Sequence, residues 1–259
     1  MLPRSVLCGL AIAFGAIAAA AQTSSSLNRV APALNQPSNP NLTPELRGDI
    51  FMARKMYREA IEAFEQGPQN DPVLSNKIGI AYHQLMQLDR AKKYYERALK
   101  LNKNYVEAIN NIGTVYYATK SYRKAANWYK KAIKLAPNEP KSASIYMNLG
   151  TAYFARKKYD DATKAYQMAL QLDPQVFERH SNYGVMLEER SITERAKYHF
   201  FVAKLYAKGG QKDLAIQYLR KALEEGFKEK KQLEEAPEFA GLKDLPEFQE
   251  LLTRETRAL

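Results

Sequence analysis

The chain has 259 residues, with 39 Lys and Arg against 28 Asp and Glu, a formal net charge of +11. Its 46% hydrophobic content excludes a wholly disordered chain and is too low for a polytopic membrane protein. A single cysteine excludes an intramolecular disulfide framework and a thiolate metal cage. The three histidines, His83, His180 and His199, do not form a spaced metal motif.

The first 21 residues read as a secretory signal peptide. Arg4 supplies the positive start, Val6 to Ala18 the apolar run, and Ala19-Ala20-Ala21 a small-residue cleavage site before Gln22. The uncharged run from Val6 to Ala21 is shorter than the roughly 20 residues a spanning helix needs. Cys8 lies near the start of that run behind bulky Leu7, whereas a lipoprotein signal places a small residue before a Cys at its end. Cleavage after Ala21 leaves a mature protein without cysteine, suited to an oxidising compartment, so the expected location is periplasmic or secreted. Residues 22–42 carry Ser24-Ser25-Ser26, Pro32, Pro37, Pro40 and four Asn, and no acid appears before Glu45. They read as a flexible linker.

Beyond the linker the chain repeats. Gly48, Gly79, Gly113, Gly150 and Gly184 recur about every 34 residues, and taking each as position 8 of a unit aligns much else. Position 11 holds Phe51, Tyr82, Tyr116, Tyr153 and Leu187. Position 20 holds Ala60, Ala91, Ala125, Ala162 and Ala196. Position 24 holds Phe64, Tyr95, Tyr129, Tyr166 and Phe200, and position 27 holds Gly67, Ala98, Ala132, Ala169 and Ala203. Small residues let two antiparallel helices approach closely, and the aromatics fill the space beside them. Helix A is expected over positions 2–14 and helix B over 15–28. Neither buries its apolar stripe within one unit, so units must stack.

This pattern resembles the tetratricopeptide repeat family over about residues 41–229. The resemblance implies an all-α, right-handed α-solenoid of helix-turn-helix repeats, about five and a half to six of them. They fall at 41–71, 72–105, 106–142, 143–176, 177–210 and an overlapping 196–229, within a solenoid of 43–226. One helix, roughly 193–207, fits both of the last two units and opens with a capping-box pattern, Ser191-Ile192-Thr193-Glu194. From residue 227 the repeat stops and Pro-Glu-Phe occurs twice. Phe239, Leu242, Leu245, Phe248, Leu251 and Leu252 are expected to cover the open end as a helical cap over 227–259.

The resemblance also implies that helix A faces line a concave groove. On that mapping Asn111, Asn148 and Asn182 form a ladder at position 6, following Lys77. Asn110 lies beside it at position 5, Thr114 and Thr151 at position 9, and His83, Tyr117 and Phe154 at position 12. An amide donates and accepts, so the ladder can pair with the backbone of an extended peptide, with Tyr117 and Phe154 as apolar pockets. The same asparagines can equally hydrogen-bond to the neighbouring repeat. A terminal-carboxylate clamp is disfavoured, because Ser144 and Asn148 stand where bases would be needed.

Twelve Lys and Arg fall between Arg90 and Lys134 against only Glu96 and Glu107. Lys92, Lys93, Lys130 and Lys131 lie in helix B, the side implied to be convex. Such a face either keeps the protein soluble or meets an acidic protein, anionic headgroups or a polyanion; nucleic acid is the least favoured partner. Neither a Gly-rich phosphate loop, a GxSxG elbow nor an HExxH pair occurs, and no cofactor, metal or small-molecule substrate is expected. The reading is a non-catalytic scaffold that holds a peptide or partner domain in its groove, in cell-envelope assembly or secretion. The alternatives are an adaptor for a polyanion or anionic membrane surface, with peripheral membrane contact through the basic face, and a self-associating structural module.

Overall fold

A computed structural model of the chain describes residues 42–178 and 192–253. The expected signal peptide, the linker up to residue 41, Asn182 and the cap residue Ser191 lie outside the described residues. Among the described residues there are helices and no strand.

Four hairpins come first: α1 (Pro44–Ala53) with α2 (Tyr57–Glu65), α3 (Pro72–Gln84) with α4 (Leu88–Leu101), α5 (Val106–Ala118) with α6 (Tyr122–Leu135), and α7 (Ser142–Ala155) with α8 (Tyr159–Leu172). Starts are set locally. Asp71 accepts from the Val73 and Leu74 amides at 2.6 and 3.3 Å, with Pro72 as the first helical residue, and Thr43 with Pro44 does the same for α1.

The second helix of each hairpin begins at position 17 rather than 15. Lys55, Met86, Lys120 and Lys157 all occupy position 15, and all four have φ between 57 and 59°. At all four, two successive amides close the turn: Lys55 and Met56 donate to the Met52 and Phe51 carbonyls at 3.0 and 2.9 Å, and Met86 and Gln87 to the His83 and Tyr82 carbonyls, both at 2.9 Å. Lys120 with Ser121, and Lys157 with Lys158, repeat this geometry. The left-handed residue reverses the chain and satisfies the last carbonyls of the first helix.

Gly79, Gly113 and Gly150 lie where the two helices of a hairpin cross. A methyl on Gly79 or Gly113 would stand 2.5 Å from the ring of Tyr95 or Tyr129, and one on Gly150 2.6 Å from Tyr166. Gly48 meets Phe64 in the same way. Each ring is fully or almost fully buried, flanked by the alanines of its own helix: Ala91 and Ala98, Ala125 and Ala132, Ala162 and Ala169. The second helices bury one stripe only, whereas α5 buries ten of its thirteen residues because it packs against helices on several sides. Successive first helices also touch, α3 on α5 and α5 on α7, while contacts between successive second helices are sparser. The first helices therefore lie on the inside of the curve.

After the undescribed stretch, α9 (Ile192–Lys208) packs chiefly on α10 (Lys212–Glu224) and only lightly on α8. Gly210 takes the left-handed turn position with φ 75°, and Gln211 donates to the Tyr206 carbonyl as at the earlier turns. Ala203 stands in the glycine's place and Leu219 in the aromatic's, so α9 acts as the first helix of one more hairpin. Whether it also completes a unit at 177–190 falls outside the described residues. The cap follows as α11 (Lys230–Glu235), a 3₁₀ turn (Pro237–Leu242) and α12 (Pro246–Thr253). Phe239, Leu242, Phe248 and Leu251 are buried against α9 and α10, with Leu245 and Leu252 half-buried beside them. Each Pro-Glu-Phe opens one of the last two elements.

Candidate interaction surface

Along the inner face a chain of amides links three repeats. Asn111 Nδ2 donates to Asn76 Oδ1 at 3.0 Å, Asn148 Nδ2 to Asn110 Oδ1 at 3.1 Å, and Asn110 Nδ2 to Asn111 Oδ1 at 3.3 Å. All four side chains are buried, with at most 3% exposure. Each inter-repeat bond runs from position 6 of one unit to position 5 of the unit before. The ladder is thus diagonal: it starts at Asn76 rather than Lys77, and it holds repeats in register, the second of the two roles open to it. Buried amides satisfy one another this way, and removing one takes a hydrogen bond from its neighbour.

The threonines at position 9 are likewise turned inward. Thr114 donates to the Asn111 carbonyl at 2.8 Å, and Thr151 donates to the Met147 carbonyl at 2.8 Å while Tyr166 donates to it at 2.9 Å. His83 lies half-buried, its Nδ1 3.5 Å from Thr114 Oγ1. Burial lowers its pKa to about 4, so the ring is neutral at neutral pH. Lys77 closes the near end of the face: its Nζ bonds Glu45 at 2.7 Å and Asp49 at 2.6 Å across the first two hairpins. Burial opposes its charge, but those two carboxylates outweigh it and hold the ammonium above its ordinary pKa.

Aromatic pairs join the first helix of a hairpin to the start of the second. Tyr117 pairs with Tyr122 at 5.0 Å between ring centroids, and Phe154 with Tyr159 at 5.5 Å. Tyr117 is buried and Tyr122 and Phe154 half-buried, while Tyr159 is 47% exposed. Phe201 of α9 closes on both Phe154 and Tyr159. Tyr122 and Tyr159 occupy position 17, directly after the turn. The recurrence of an aromatic at 17 paired with one at 12 is visible in the sequence, yet position 17 was not among the expected contacts.

On the outer side Tyr116 stacks with Trp128 at 6.4 Å and Tyr82 with Tyr94 at 5.3 Å. The Nζ atoms of Lys92 and Lys124 lie 5.3 and 5.5 Å from the Tyr116 ring, and that of Lys131 lies 5.0 Å from Trp128. Lys93, Lys130 and Lys131 are exposed, and Lys92 also reaches Glu96 at 3.6 Å. Among the described residues no three His, Cys, Asp or Glu side chains cluster to hold a metal, and no helix is long and apolar enough to cross a membrane.

Repeated hairpins joined by left-handed turns, with glycine against tyrosine at each crossing, leave one family to test. Tetratricopeptide repeat models match residues 73–138, 104–175 and 196–225, together about half of the chain. The chain belongs to the tetratricopeptide repeat family. The last match coincides with the α9–α10 hairpin. No curated protein matches the chain in sequence. Among solved structures, a crystal structure of MamA is 20% identical, covering 69% of this chain and 93% of its own at a TM-score of 0.46. A MamA fragment from Desulfovibrio magneticus RS-1 is 23% identical, covering 68% and 89% at 0.46. The APC/C hetero-tetramer Cut9–Hcn1 gives 20% identity over 81% of this chain and 35% of the matched chain, at 0.51. At such identities the likeness concerns the fold.

Proposed function

We propose that this tetratricopeptide repeat protein is a non-catalytic scaffold that holds a peptide segment or partner domain against the inner face of its first helices. Binding protein partners is the general work of such repeats. The observation that carries the finer reading is the aromatic rim: Tyr122 and exposed Tyr159, which open α6 and α8, pair with Tyr117 and Phe154 of the first helices α5 and α7, whose amides Asn110, Asn111 and Asn148 are already hydrogen-bonded in the chain that starts at Asn76. A floor whose hydrogen bonds are already made does not rearrange on binding, and exposed aromatic area beside it supplies contact at small entropic cost. His83, neutral and half-buried, continues that surface toward α3.

The proposed setting is the cell envelope, in assembly or secretion, because residues 1–21 have the arrangement of an export signal. Affinity capture from an envelope extract tests the surface. Wild type is expected to retain a partner that the double variant Tyr122→Ser, Tyr159→Ser loses, while Arg58→Glu, Lys164→Glu on the outer side retains it. Equal capture by the rim variant would overturn the reading.

A further inference from the structure

We propose that the outer face of α4 and α6 docks onto an anionic lipid bilayer. Helix α6 carries five bases (Arg123, Lys124, Lys130, Lys131, Lys134) and no acid, and α4 carries five against Asp89 and Glu96. The flanking second helices do not share this: α8 has Asp160 and Asp161 against Lys164, and α2 has Glu59, Glu62 and Glu65 against Arg58. Charge that serves solubility alone is interspersed in sign, whereas here it stops abruptly at the edges of two adjacent repeats.

Three features favour a bilayer over an acidic protein. First, nine of the twelve bases between Arg90 and Lys134 are lysines. Of the arginines, Arg97 is committed to the Gln69 carbonyl at 2.6 Å, and Arg90 sits 5.6 Å from the Tyr82 ring and bonds Gln87 at 3.0 Å. Forked, preorganised recognition of carboxylates uses arginine, whereas flexible lysines suit a diffuse and fluid layer of charge. Second, Leu101 and Leu135 are 42% and 41% exposed at the same place in successive repeats, each next to a lysine at the helix end. They share helical stripes with the bases, Lys93–Arg97–Leu101 and Lys124–Lys131–Leu135. Third, half-buried Tyr116 and Trp128 lie at the seam under Lys92, Lys124 and Lys131. Lysine, tryptophan, tyrosine and leucine together are the residues that settle at a charged membrane interface.

Flotation of the full-length protein with vesicles tests this, using phosphatidylcholine alone and phosphatidylcholine mixed with phosphatidylglycerol. Neutral vesicles report whatever the apolar N-terminal segment contributes. The expected result is preference for the anionic vesicles, weakening between about 0.1 and 0.5 M salt. That preference should fall at least tenfold in the variant Lys93→Glu, Lys124→Glu, Lys130→Glu, Lys131→Glu, and measurably in Leu101→Ser, Leu135→Ser. Should circular dichroism show the charge-reversed variant unfolded, the four Lys→Gln changes must give the loss instead. No anionic preference, or one that survives these variants, overturns the proposal. So does binding of polyglutamate at equal strength that ignores the leucine changes, which would indicate an acidic protein partner.

Discussion

Replacing Gly113 by Ala is the sharpest probe of the hairpin packing. The added methyl would stand 2.5 and 2.7 Å from Tyr129 Cε1 and Cδ1, where carbon atoms prefer about 3.5–4.0 Å. The ring would have to recede by about 1 Å, but Tyr129 is fully buried and wedged between Ala125 and Ala132. Overpacking costs about 1–3 kcal/mol, and a ring wedged this way puts it in the upper part of that range, about 2–3 kcal/mol, of which alanine's helix propensity returns about 1 kcal/mol. The net expectation is a loss of about 1–2 kcal/mol, or a Tm lower by roughly 3–6 °C on thermal unfolding followed by circular dichroism. Adding Tyr129→Leu should recover part of that loss, since the chain itself pairs Ala203 with Leu219 in the α9–α10 hairpin. A Gly113→Ala protein as stable as wild type, or more so, would refute the tight-crossing argument.

Other outcomes follow from individual side chains. The Tyr129 hydroxyl is buried without a hydrogen bond among the described residues, whereas that of Tyr166 bonds Thr151. Tyr129→Phe should therefore leave stability unchanged or raise it by about 1 kcal/mol, while Tyr166→Phe lowers it by about as much in denaturant titration. Asn148→Ala removes the donor to the buried Asn110 carbonyl oxygen and should cost about 1–3 kcal/mol, with faster amide exchange at the α5–α7 junction. His83 titrates at about 4 when folded against its ordinary 6.5. The unfolded chain therefore binds more protons between those values, and stability falls as pH drops from about 6.5 toward 4, by about 1–3 kcal/mol. His83→Gln should remove that part of the acid sensitivity and leave the carboxylate part, as read from Tm against pH. N-terminal sequencing of protein recovered from its host's envelope should begin at Gln22; a start at residue 1 in the cytosol would remove the proposed setting.

Hairpin packing was legible because it is written at single positions. Glycine at 8 and an aromatic at 24 meet within one hairpin, so their register can be read without knowing how repeats stack. The cap was legible for a similar reason, as Phe239, Leu242 and Phe248 have few apolar surfaces to cover besides the open end. The amide chain was only half legible. Its bonds join position 5 of one repeat to position 6 of the next, a diagonal set by the offset between neighbouring hairpins, and reading down position 6 alone misses Asn76. The left-handed residue at 15 escaped notice because Lys and Met give no turn signal there. Only Gly210, in the last described hairpin, carries the residue that conformation favours. The position 17 aromatics were missed because they lie outside the mapped groove positions, although their pairing with position 12 repeats.

The central functional claim, that partners meet the inner face, is tested most directly by photo-cross-linking. A benzophenone amino acid placed at Tyr122 or Tyr159, at the start of α6 or α8, should form adducts with a protein partner, while the same group at exposed Asn127 or Lys164 further along those helices should not. Adducts confined to Asn127 and Lys164 would contradict it.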